Sequence, residues 1–151
     1  MTSEGIKARM LLCDAAQVQG GKLYILGGGW SRVVKLQPIQ MALGINMSIP
    51  WHAANKPMQL IVRLLDADGN PLRDPTNEPI RTEGQMEVGR PPGLKSGTLL
   101  DSTIAIGMPA MDLNFGAYTW VLELDGETLD SVTFEVVKPP PGLVLPSNTV
   151  G

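Results

Sequence analysis

The 151-residue chain has one cysteine and one histidine, and each shortage removes a class of chemistry. A lone Cys13 cannot form an internal disulfide, which fits synthesis and folding in a reducing cytoplasm. With His52 as the only histidine, a Ser-His-Asp or Cys-His site would have to be built around it. One His and one Cys also fall short of a tetrahedral zinc set. His52 follows Pro50-Trp51 and reads as a loop histidine. The expectation is a non-enzyme with no cofactor and no metal.

Charge is scarce as well. Charged residues make up 18% of the chain and the net charge is -3. Nucleic-acid backbones are gripped by clustered Lys and Arg, and here the basic residues are scattered, so no nucleic-acid partner is expected. No apolar run approaches the ~18 residues of a membrane span. Lys7 and Arg9 precede Met10-Leu11-Leu12-Cys13, but that apolar stretch is too short for a signal core and Asp14 follows at once. A first β-strand explains it better than a signal or lipoprotein cysteine.

What the chain does have is glycine (17), proline (13) and alternation. Gly and Pro disrupt long helices and suit short strands joined by sharp turns. Met41, Leu43, Ile45, Met47 and Ile49 alternate with small or polar residues, which predicts a strand with one buried face. Met58, Leu60, Val62 and Leu64 repeat the pattern, as do Ile104, Ile106 and Met108. So do Tyr118, Trp120, Leu122 and Leu124, then Val132, Phe134 and Val136. Asp125-Gly126, Asp68-Gly69 and Gly20-Gly21 supply the positive φ of tight hairpin turns. Residues 74–79 and 89–93 read as exposed loops. The expected fold is an all-β, immunoglobulin-like antiparallel sandwich of about eight strands. It occupies residues 1–138 and is followed by an extended Pro-rich arm over 139–151. Tyr118, opening the penultimate strand after Gly116-Ala117, fits the tyrosine corner of such folds.

Cys13-Asp14-Ala15-Ala16-Gln17, Gly20-Gly21-Lys22-Leu23-Tyr24-Ile25-Leu26-Gly27-Gly28-Gly29-Trp30, Ile49-Pro50-Trp51 and Gly116-Ala117-Tyr118 together resemble a family of small uncharacterised bacterial proteins. The resemblance extends over roughly residues 8–137. It implies a folded β domain and carries no activity or catalytic residues.

Three further patterns invite chemistry. Asp66-Ala67-Asp68-Gly69-Asn70 resembles the opening of a calcium loop, yet a hairpin turn explains the same letters. Gly27-Gly28-Gly29 lacks the dinucleotide spacing and the Lys-Ser/Thr of a phosphate loop, and reads as a turn or a close backbone approach. Trp30 and Trp51 sit at strand ends, where they either seal the sandwich or form a contact surface.

Without a catalytic set, function in a sandwich resides in loops, edges and tails. Pro139, Pro140 and Pro141 make a stiff arm that leads to apolar Leu143, Val144 and Leu145, a segment suited to a neighbour's sheet edge or groove. The expectation is a structural or interaction module of an assembly with a protein partner, concretely a bacteriophage minor capsid or decoration protein located in the virion. The alternative is a cytosolic small-ligand or regulatory domain, with Trp30, Trp51 and Arg90 around a shallow site.

Overall fold

The computed structural model describes residues 5–142. Among the described residues nine strands form two sheets: β1 (Lys7–Gln19), β2 (Lys22–Gly28), β3 (Arg32–Val34), β4 (Ala42–Ile49), β5 (Met58–Leu65), β6 (Arg81–Met86), β7 (Leu100–Gly107), β8 (Gly116–Leu124) and β9 (Glu127–Val137). The four-stranded sheet runs β2-β1-β4-β7 and the five-stranded sheet β3-β9-β8-β5-β6. The molecule is therefore an all-β sandwich. The alternating residues face one another across it, and Leu43, Ile45, Met47, Val62, Leu64, Trp120 and Leu122 are fully buried. Each such side chain contributes about 1.5–3 kcal/mol by leaving water. Trp120 keeps its one polar atom satisfied, with Nε1 donating to Met41 Sδ at 3.2 Å.

Turn chemistry falls where the sequence places it. Asp125 (φ 48°) and Gly126 (φ 82°) both take positive φ in the β8–β9 hairpin, and Gly20 (φ 57°) and Gly21 (φ 73°) do so between β1 and β2. Tyr118 Oη donates to the Asn114 carbonyl at 2.8 Å, which is the tyrosine corner.

One strand, β6, exceeds the expected eight. Arg81-Thr82-Glu83-Gly84-Gln85-Met86 has Met86 as its one large apolar residue and carries no alternation, yet it pairs with β5 as an edge. β3 has only three residues and pairs with β9 in parallel, so the sandwich is not wholly antiparallel.

The larger departure concerns the alternation in β4. Its small face, Ala42, Gly44, Asn46 and Ser48, reads as a solvent face. In the fold, Ala42 and Gly44 are buried. β1 pairs with β4 only as far as Cys13 and with β2 from there on. The β1–β2 hairpin crosses the outer face of the four-stranded sheet and brings Leu23 and Ile25 onto Gly44. Thr103 Oγ1 of β7 donates to the Gly21 carbonyl at 3.3 Å, fixing the far end.

Candidate functional site

Each element of interest occupies a distinct place on the sandwich. The Cys13–Trp30 region is a structural corner. Gly27 (φ 62°) sits where any Cβ would overlap the Asp14 carboxylate, and a Cβ on Gly28 would lie 2.6 Å from Ile25 Cγ2. The Gly29 N–H donates to the Leu12 carbonyl at 2.8 Å. Trp30 Nε1 then donates to Asp14 Oδ1 at 3.1 Å, and its ring packs edge-on to Phe134 with centroids 6.1 Å apart. Cys13 lies buried beneath this corner, its Sγ donating to the Ala42 carbonyl at 3.4 Å. Burial, reinforced by the charge of Asp14, pushes its thiol pKa up. The motif thus turns the chain from one sheet to the other.

Trp51 and Arg90 meet at the opposite end. The Arg90 guanidinium lies 4.7 Å from the Trp51 ring centroid, and its Nε and Nη2 donate to the Trp51 carbonyl at 3.2 and 2.7 Å. A stacked, doubly bonded Arg ties the residue 89–93 loop to the short 3₁₀ turn Trp51–Ala53. Trp30 follows the strand that pairs with Cys13, near the start of β4, whereas Trp51 follows the end of β4. Trp30 does not join Trp51 and Arg90 in the expected shallow site, because the length of β4 separates it from them. His52 is exposed in the 3₁₀ turn.

The Asp66–Asn70 segment is a turn. Asp66 Oδ1 accepts N–H bonds from Asp68 at 2.9 Å and Asn70 at 3.0 Å, so this carboxylate organises backbone. The residue 74–79 loop is the tip of a small hairpin, with Asp74 Oδ1 accepting from Thr76 N, Thr76 Oγ1 and Glu78 N. These bonds, the Thr76 hydroxyl first, hold the Asp74 pKa below the ordinary carboxylate range.

The base of the arm carries features that the sequence pattern did not single out. Phe115, half exposed, has two ammonium groups over its ring, with Lys35 Nζ 5.7 Å and Lys138 Nζ 5.4 Å from its centroid. Lys35 also pairs with Asp112 at 2.8 Å. Pro139, Pro140 and Pro141 leave directly from this cluster. Leu143, Val144 and Leu145 lie outside the described residues.

Beside it, at the same end, the tip hairpin and the loop after β7 enclose a cleft of about 620 Å³. Leu72, Ile80, Met108, Met111 and Tyr118 form its floor, and Arg73, Arg81 and Asp112 stand among its walls. No feature of composition pointed here, because the cleft is assembled from segments far apart in the chain.

Among the described residues no helix is long and apolar enough to cross a membrane. No curated protein matches the sequence. Residues 8–137 match a family of unknown function (DUF6941), and the chain belongs to that family.

Proposed function

We propose that this protein is a non-enzymatic structural module of a larger protein assembly, and that its Pro-rich arm makes the contact. In its most concrete form it is an accessory protein of a bacteriophage particle, a minor capsid or decoration subunit. The observation that carries the reading is the anchored base of the arm. Lys138 and Lys35 both lie over the Phe115 ring, so a side-chain contact holds the chain at the point where the arm departs. Three prolines then keep the departure stiff and lower the entropy lost when the apolar segment behind them binds. The bacteriophage setting rests on analogy with other sandwiches that bind through arms.

Light scattering on the full chain and on a chain truncated after Lys138 tests this reading. An oligomer that becomes a folded monomer on truncation supports it. An oligomer unchanged by truncation removes the arm from the account.

The end cleft favours a second reading, a small-ligand domain. Its apolar floor and charged walls suit a compact ligand with one apolar side. A ligand screen by melting temperature, repeated with Met111→Glu, tests it. A shift lost in the variant supports the cleft, and a shift retained places binding elsewhere.

A further inference from the structure

We infer that the receptor for the arm is the free edge of β7 on a second copy of this chain, with Leu143-Val144-Leu145 added as a short strand. This rests on the assembly reading above and names its contact surface.

The four edges of the two sheets differ in how they are protected. β6 carries Arg81 and Glu83, paired with each other, along an edge that is exposed as far as Gln85. β3 is three residues long, and β2 lies folded over the outer face of its own sheet. β7 has eight residues, LDSTIAIG, with one carboxylate and neither Lys nor Pro. Charged side chains, Pro, bulges and short length are the usual guards against strand addition, and β7 has only Asp101. Among the described residues no strand pairs with its outer side.

The side chains of β7 tell the same story. Ile104 and Ile106 face the interior opposite β5, yet both are only half-buried, whereas their β4 partners Ile45 and Leu43 are fully buried. One strand further along the facing sheet, Thr82 and Gly84 of β6 are exposed. The sandwich is open along this side, and the half-buried Ile104 and Ile106 line the slot between its layers. In an added strand Leu143 and Leu145 share a face, two residues apart. That face enters the slot beside Ile106 and Ile104 while Val144 lies outward. Pro141 and Pro146 flank the segment where an added edge strand tolerates them.

Reach selects a second copy over the arm's own sheet. β1 faces β9, and β4 and β7 follow in order, so the vacant position lies three strand spacings along and one sheet across from β9. At ~4.8 Å between strands and ~10 Å between sheets that is roughly 17 Å. From Lys138 to Leu143 a fully extended chain covers about 16–18 Å, which leaves no slack. The turn at Pro141-Gly142, with Gly142 at φ 82°, shortens it further. The arm falls short of its own edge. Head-to-tail use of arm and edge makes a heterologous contact, which closes into rings or extends into filaments.

The test joins two chains with a short bismaleimide. One is full length with Leu145→Cys, and the other is truncated after Lys138 with Ile104→Cys. Cys13 is buried and does not compete. A covalent heterodimer is expected, lost when Leu143→Asp is added to the first chain. Melting curves establish that the Ile104→Cys chain is folded, and Ala105→Cys on the neighbouring β7 position serves where it is not. If truncation abolishes the oligomer but no heterodimer forms with either cysteine, the arm reading stands and β7 is not its receptor. A full-length chain that stays monomeric at every concentration overturns the second copy as partner. A link formed within one chain carrying both Leu145→Cys and Ile104→Cys places the arm on its own edge, and overturns the inference as well.

Discussion

At the residue scale, the run Gly27-Gly28-Gly29-Trp30 shows how a motif that invites a ligand is consumed by packing. Gly27 combines a positive φ with a site already filled by the Asp14 carboxylate, and that carboxylate in turn holds the Trp30 indole. Gly27→Ala therefore meets two penalties, a left-handed backbone and a displaced Asp14. A loss of about 1–3 kcal/mol is expected. Asp14→Ala removes the carboxylate that the new methyl meets, so the double variant Asp14→Ala/Gly27→Ala loses less than the sum of the singles. Urea unfolding of the four proteins measures this. Strict additivity would mean that the backbone alone demands glycine here. The same residues were legible in the sequence as a turn with an aromatic beside it. Their partner was not, because Asp14 lies sixteen positions from Trp30 in the chain and nothing in a turn motif names a distant acceptor.

At the element scale, what alternation reveals and what it hides can be separated strand by strand. Strands with one apolar face, β4, β5, β8 and β9, were legible, since a period of two is what a half-buried strand imposes on sequence. β6 was not, because an edge strand with little to bury leaves no such imprint. The hairpin over Gly44 was hidden for the opposite reason. A small residue reads as solvent-facing, whereas here it is small so that Leu23 and Ile25 can approach. The residue 74–79 tip supplies a prediction about pH. The Asp74 pKa is depressed by the Thr76 hydroxyl and by the Glu78 and Thr76 amides. A carboxylate whose folded pKa lies below its unfolded value stabilises the tip above that unfolded value, ~3.9, and the contribution is lost as pH falls through the folded pKa. The amide proton shifts of Thr76 and Glu78 should titrate together, with a midpoint below the usual Asp range. A midpoint at or above that range would refute the bonding described here, and Asp74→Ala should abolish the titration.

At the scale of the whole molecule, the two long sides of the sandwich differ, and the difference governs both stability and contact. On the β7 side the layers stand open. On the other side β1 lies against β9, and the Met10 N–H, which points away from β4, donates to Asp130 Oδ2 at 2.7 Å. The other carboxylate oxygen of Asp130 accepts from the Ser131 amide at 2.8 Å, holding the side chain across the seam. This bond joins the two sheets where no backbone ladder does. Asp130→Ala leaves a partly buried amide without its partner, at a cost of about 1–2 kcal/mol. For a domain of this size that lowers Tm by roughly 3–6 °C. Location distinguishes this from general destabilisation. Hydrogen exchange at Met10 and its β1 neighbours should quicken well before that of the β5–β8 core, while the β7 edge, already open, changes little. Uniform acceleration through both sheets would show that the seam does not act as a separate latch. The outcome bears on assembly, because a latched side keeps the slot between the layers at constant width. With the β1–β9 seam released, the layers can shift and the opening beside Ile104 and Ile106 loses its shape, so Asp130→Ala should weaken arm-dependent oligomers more than its effect on Tm alone accounts for.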